Sequence, residues 1–223
     1  VGMWIKKFFQ TNFFFLYPFS AFMAVGAVLL YMWPKDVLLL AVNSHYSPSS
    51  DLFFKFYTHM GDGRTCILMV VLLLLFVSKY KGIVLLLAYA LSSIPTQLVK
   101  LYLFQPSYRP RAHFWLDSDR LHFVDGVEIL VSNSFPSGHT TTAFAMFLVL
   151  SHFAKNKVLS FVFFCLAFLV GYSRMYLAQH FFADTFAGSI IAVVMTMVSI
   201  YLAENVWKWR EKESLKKGLL YTL

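Results

Sequence analysis

The sequence predicts an all-α, polytopic membrane protein: six transmembrane helices in a bundle, with an interfacial amphipathic helix, in a single domain over residues 1–223. Three observations predict this. Hydrophobic residues make up 59% of the chain and charged residues 13%, where a soluble domain carries about 25% charged. The mean hydropathy is +0.64. Several uncharged apolar runs approach or exceed the roughly 18 residues that mark a candidate membrane span.

In chain order these runs are Phe13–Trp33, Gly63–Ser78, Gly82–Leu103, His139–Ala154, Val158–Ala178 and Phe181–Ala203. The first has no small-residue cleavage pattern behind it, so it is expected to stay as a span and not to be removed as a signal peptide. Val1 and Gly2, ahead of Met3, are expected to be an added remnant. Between the first two runs, Leu52, Phe53, Phe56, Tyr57 and Met60 recur at helical spacing with Asp51, Lys55 and His59 between them. That pattern predicts a helix over Ser50–Met60, lying in the interface plane or packed as a re-entrant segment. Gly61 and Gly63 are expected to give the backbone freedom to turn into the second run. Lys79 and Lys81, and then Lys155 and Lys157, punctuate two tight basic turns. Cys66 and Cys165 both sit in apolar runs and read as small core residues, not as a disulfide or metal pair. No internal repeat divides the chain.

The formal net charge is +8. No basic patch with interleaved aromatics occurs outside the apolar runs, which argues against a nucleic-acid partner. The charge is instead sided. With the N-terminus in the cytoplasm, eleven Lys and Arg face inward against three Glu, while eight cations and eight carboxylates face the other way. By the positive-inside rule both termini are cytoplasmic, and Phe104–Gly138 forms a long outer loop. The expected location is the cell's inner membrane, with the outer loops facing the periplasm or exterior. Nothing in the sequence sets an oligomeric state.

Three segments meet at that outer face. Pro136-Ser137-Gly138-His139 opens the fourth run, where a helix N-terminus favours an anion through its unpaired N–H groups and dipole. Taken alone, His139 reads as a cap or an interfacial residue. The fifth run ends in Ser173-Arg174, with His180 six residues after the arginine and Asp184 four further on. The i, i+4 spacing lets Asp184 reach His180 along one helix face, fix its tautomer and free its other nitrogen as base or nucleophile. An inert Arg174–Asp184 pair is the alternative on this segment alone. The third segment carries Lys100 and Arg109, which can be aimed inward, whereas Arg111 and Arg120 read as side chains snorkelling to headgroups. Three cations, a helix N-terminus and two histidines suit a tetrahedral, multiply charged oxyanion such as phosphate. Asp117, Asp119, Arg120, His122, Asp125 and Glu128 polarise the outer loop, either as a solvated face or to read a headgroup.

These residues resemble the motifs of the membrane-bound type 2 phosphatidic acid phosphatase (PAP2) superfamily, of the bacterial lipid phosphatase type. Ser173-Arg174, His180 and Asp184 match its third motif, and Pro136-Ser137-Gly138-His139 its second. The first motif departs, because eight residues separate Lys100 from Arg109-Pro110, two more than the family usually has. Those two are expected to be absorbed in the loop Phe104–Tyr108. The resemblance implies that His180 takes the phosphoryl group as phosphohistidine, oriented by Asp184, and that His139 protonates the leaving oxygen and later activates water. Lys100, Arg109 and Arg174 would hold the phosphate oxygens, with Ser137 and the Gly138 N–H completing an oxyanion cradle. It implies no metal and no other cofactor. The implied substrate is a membrane lipid phosphate, such as a lipid A phosphate, a polyprenyl diphosphate or a phosphatidate-like lipid. The alternative activity is a lipid phosphotransferase, in which a second lipid and not water accepts the phosphoryl group. A binding or transport protein needs only the cations, so the carboxylate-backed imidazole argues against that class.

Overall fold

In the computed structural model, which describes residues 2–221, the chain is helical with no strand among the described residues. Val1, read above as part of an added remnant, lies outside them. Two helices that the apolar runs do not announce come first and third: α1 (Gly2–Thr11) precedes α2 (Phe13–Met32), and α3 (Lys35–Asn43) follows Pro34. The hydroxyl of Ser47 accepts the Ser50 N–H at 3.2 Å and so starts α4 (Pro48–Tyr57), with Pro48 in the first turn where its missing N–H costs nothing. A 3₁₀ turn, Thr58–Gly61, and a 59° bend lead into α5 (Gly63–Leu72).

The remaining helices are α6 (Lys79–Leu98), the short α7 (Pro110–His113), α8 (Gly138–Ala154), α9 (Lys157–Tyr176), α10 (Phe182–Tyr201) and the short α11 (Glu213–Lys216). Helices α5, α6 and α10 each end in a wider π turn, at Leu73–Val77, Val99–Leu103 and Leu202–Val206. The break before α6 is Ser78 alone, held extended, so Lys79 and Lys81 lie in the first turn of the helix and not in a basic turn of their own. The second break does match a tight turn: Lys155 is left-handed, and the Asn156 side chain accepts the Leu159 N–H at 3.0 Å to start α9.

Among the described residues, four helical stretches are long and apolar enough to cross a membrane: Phe13–Met32, Lys79–Leu103, Lys157–Tyr176 and Phe182–Val206. The bent pair Pro48–Gly61 and Gly63–Val77 makes a fifth if it is counted as one span. Helix α8 has 17 residues, about 25 Å at 1.5 Å each, and is the centre of the bundle. Twelve of its residues are buried, on every face, and it packs on α6, α9 and α10. Phe144, for example, meets Phe15 of α2 and Phe164 of α9 edge-on. Cys66 belongs to this core, but Cys165 is exposed on the outer side of α9, so only one of the two cysteines is a core residue; both are free. With short turns between α8, α9 and α10, the end of α6, the start of α8, the end of α9 and the start of α10 all gather at one end of the bundle.

Candidate active site

The site is built around the first turn of α8. Ser137 is its N-cap, fully buried, and its hydroxyl oxygen accepts from the Thr140 hydroxyl at 3.0 Å and the Thr140 N–H at 3.5 Å. The Ser137 N–H donates to the backbone carbonyl of Asp184 at 2.9 Å, which ties α8 to α10. The N–H groups of Gly138 and His139 come too early in α8 to have an intrahelical acceptor, and a Cβ on Gly138 would meet open space. Two glycines let neighbouring backbones close on this turn. A Cβ at Gly61 would stand 2.7 Å from the His139 carbonyl oxygen, and one at Gly188 2.7 Å from that of Ser137. Gly61 is therefore a point of close approach; the turning freedom expected of it is not what the contact uses.

His180 and Asp184 do meet, though not along a helix face. Helix α9 stops at Tyr176, and His180 sits in the loop before α10, while Asp184 is in the first turn of α10. There the Asp184 carboxylate accepts the Phe181 N–H at 2.9 Å, the Ser134 hydroxyl at 2.5 Å and His180 Nδ1 at 3.3 Å. Capping geometry brings the pair together, because a carboxylate at the third helical position reaches back over the entering chain. His180 is 2% exposed, and its Nε2 lies 3.2 Å from Arg109 Nη1.

Arg109 is buried and starts α7. Its guanidinium donates to the carbonyls of Ser132 at 2.8 Å and Gln179 at 3.0 Å, with Asn133 at 3.4 Å. Arg174 is also buried: one terminal nitrogen donates to Thr58 Oγ1 at 2.6 Å, and its Nε has no partner among the described residues. Lys100 lies in the π turn that ends α6, and the loop Phe104–Tyr108 follows before Arg109. The cations acting on His180 are Arg109, Arg174, Lys100 and then His139. Burial first, and these charges next, push the His180 imidazole well below its ordinary value of 6.5, so the ring is neutral. Burial also lowers Arg109. All eight residues singled out in the sequence thus converge on this end of the bundle.

The sequence reading missed Asp62. Its Oδ1 lies 2.7 Å from His139 Nε2, and its Oδ2 lies 2.7 Å from His59 Nδ1. The His139 hydrogen bond is the main cause that holds the Asp62 carboxyl below the usual carboxylate range. The available signal was a lone Asp between two glycines, directly after a segment already read as amphipathic. Ser134, Thr58 and Gln179 were missed as well; the Gln179 amide oxygen sits 3.5 Å from both Arg109 and Arg174.

The polar loop between α7 and α8 is largely occupied with holding itself in place. His122 pairs with Asp51 at 3.0 Å and stacks on Tyr46 at 3.7 Å, and Tyr176 donates to Asp51 at 2.6 Å. Arg111 and Arg120 lie over the rings of Phe123 and Phe114, at 5.4 Å and 5.5 Å, where snorkelling was expected. Beside the site, an apolar cavity of about 280 Å³ runs between α2, α3, α8, α9 and α10. Phe22, Phe144 and Phe168 line it, and it reaches Thr140 and Thr185, the chain neighbours of His139 and Asp184.

Known proteins resemble this chain in sequence and in fold. The model of the PAP2 superfamily matches residues 81–208. The chain is 29% identical, over 107 residues, to phosphatidylglycerophosphatase B of Bacillus subtilis (strain 168). That match covers 44% of this chain and 52% of the relative, so the chain spans about half the length of that protein. The crystal structure of Aquifex aeolicus LpxE superposes with a TM-score of 0.64 at 30% identity, covering 73% of this chain and 92% of that one. A transmembrane PAP2 type phosphatidylglycerolphosphate phosphatase from Bacillus subtilis superposes at 0.57 with 21% identity, over 92% and 98% of the two chains, and shows the shared fold.

Proposed function

This chain belongs to the PAP2 superfamily, and we propose that it is an integral-membrane lipid phosphate phosphatase working through a phosphohistidine. The observation that carries the reading is His180: a buried, neutral imidazole with Nδ1 on a carboxylate and Nε2 beside a guanidinium. Nε2 attacks phosphorus, forming the N–P bond as the bond to the leaving oxygen breaks, and His139 gives that oxygen its proton. Asp184 keeps the Nδ1 proton and steadies the positive charge the ring acquires. Water then attacks the phosphohistidine, His139 takes its proton, and inorganic phosphate leaves.

Arg109, which lies beside Nε2, turns to the phosphate oxygens when substrate arrives. Arg174, whose Nε has no other partner, and Lys100 complete the positive clamp. The Gly138 and His139 N–H groups, with the Ser137 hydroxyl proton, form the rest of the cradle. The cations supply the charge that a metal would otherwise bring, so the reading needs none.

The apolar cavity beside Thr140 and Thr185 supports a substrate whose phosphate meets a hydrocarbon tail. The substrate is a phosphomonoester or diphosphate of a membrane lipid: a lipid A phosphate, a polyprenyl diphosphate or a phosphatidate-like lipid. The proposed membrane placement has six spans, adding Gly63–Val77 and α8 to the four long stretches, with α4 in the interface plane. The short α8 is compatible with a span because protein surrounds it. The sided Lys and Arg support an orientation with both termini in the cytoplasm and the site outside, in the inner membrane.

The test is phosphate release from a panel of purified lipid phosphates in detergent, with and without an acceptor lipid. Release from one or more lipids, lost in His180→Ala, is expected. Transfer to the acceptor without release would make the protein a phosphotransferase. Release that survives His180→Ala would remove the phosphohistidine.

A further inference from the structure

At the opposite end of the bundle lies a cavity of about 770 Å³, remote from every residue discussed so far as part of the site. Six cations line it: Lys7, Lys81, Lys155, Lys157, Arg210 and Lys216. The one acid in its wall is Glu204, and its carboxylate is already committed. It accepts from Trp4 Nε1 at 3.3 Å and the Tyr80 hydroxyl at 3.4 Å, and pairs with Arg210 at 3.3 Å and His152 at 3.4 Å. His152 is nine-tenths buried and braced from behind by the Asn12 amide at 3.1 Å. The floor of the cavity is therefore a fixed polar network and not a loose surface.

Lys216 pairs with Glu213, but no carboxylate among the described residues pairs with Lys7, Lys81, Lys155 or Lys157. Lys81 and Lys157 lie over the rings of Phe153 and Phe14, at 5.7 Å and 5.6 Å, which fixes where their charges point. Four uncompensated ammonium groups around a concave, partly apolar wall concentrate positive potential at one place. These lysines come from α1, α6, the α8–α9 turn and α9, so the fold, and not one basic segment, assembles the patch.

We propose that this cavity is a second anion site, specific for a phosphate-bearing ligand and separate from the site at the other end. The ligand chemistry is a phosphate group held by several ammonium groups, with apolar wall for whatever is attached to it. A lipid headgroup of the adjoining leaflet and a soluble phosphate both meet that description.

The test uses the full chain in nanodiscs of phosphatidylcholine, titrated in one arm with phosphatidylglycerol and in the other with inorganic pyrophosphate. Lipid retention by native mass spectrometry and the thermal midpoint are read in both. The cavity variant combines Lys7→Gln, Lys81→Gln and Lys157→Gln; a control combines Lys6→Gln, Lys208→Gln and Lys212→Gln, none of which lines the cavity. Each lysine near an anionic headgroup contributes several-fold, so the cavity variant should bind at least about tenfold more weakly, with control and His180→Ala near wild type. Protection by the lipid arm identifies a headgroup, and protection by pyrophosphate alone a soluble ligand. Monodisperse elution and retained phosphate release show that the cavity variant is folded. Equal loss in the control, or binding in neither arm, would overturn the proposal.

Discussion

Asp62 stands 2.7 Å from Nε2 of His139, although 77 positions separate the two in sequence. The contact engages Nε2, so in the proposed mechanism Nδ1 is the ring nitrogen that serves the leaving oxygen. We expect Asp62→Asn to fold and bind substrate, and to lower turnover by about 10- to 100-fold on alkyl phosphates. On an aryl phosphate with a good leaving group, which needs no proton, the loss should be much smaller. Equal losses on both substrates would mean that Asp62 only packs the joint between α4 and α5.

Asp184→Asn should lose on the order of 10²–10³ in turnover, with binding nearly intact. The amide keeps the shape but removes the charge that steadies His180, and its NH₂ can pin the wrong tautomer. Ser134→Ala, which removes one of three hydrogen bonds to the same carboxylate, should cost less. Near-normal turnover in Asp184→Asn would leave Asp184 as a helix cap and nothing more.

The pH behaviour follows from His180. Burial and the neighbouring cations put its folded value well below 6.5, so protonation does not silence it as pH falls from 8 to 6. On an aryl phosphate, whose leaving group needs no proton from His139, the rate of phosphoenzyme formation should hold over that range. Stability has the opposite sensitivity. Below about 6.5 the unfolded chain binds a proton at this ring that the folded chain refuses, so the thermal midpoint should fall as pH drops through that value. A phosphorylation midpoint at 6.5 would show that His180 titrates like a solvent-exposed imidazole.

If arginine and lysine supply the electrostatic work, a chelator should leave phosphate release unchanged. Orthovanadate, which takes the geometry of pentacoordinate phosphorus, should inhibit. Activity that a chelator abolishes and Mg²⁺ or Zn²⁺ restores would call for another mechanism.

Sidedness is testable with single cysteines in a background where Cys66 and Cys165 are replaced. A cysteine at Ser118 should react with a membrane-impermeant thiol reagent in intact cells, and one at Asn156 should not. Reversed labelling would overturn the orientation and the leaflet of the substrate together.

Sequence made the helices legible because lipid-facing and core-facing residues are both apolar, so the runs stand out whichever way they point. It did so less well for burial: nothing in the run around Cys165 says that this face turns outward. His180 and Asp184 were paired by counting along a helix, yet the pairing depends on a helix start between them. The i, i+4 rule and a capping carboxylate happen to span the same distance. The pairing of Asp62 with His139 was out of reach, because only the packing of the α4–α5 joint against α8 brings the two together. Helices α1 and α3 were missed since neither is long or apolar enough to announce itself.

The first turn of α8 touches its neighbours backbone to backbone on both flanks, at Gly61 and Gly188. On the glycine side such a seam has no side chain to trim or enlarge, so the spacing of the backbones around His139 is held at the width of an absent methyl group. Freedom to vary is displaced to the walls of the apolar cavity and to the loop between α7 and α8, where side chains are plentiful. A catalyst divided in this way keeps its cutting tool at fixed calibre, and only the grip need change from one amphiphile to the next.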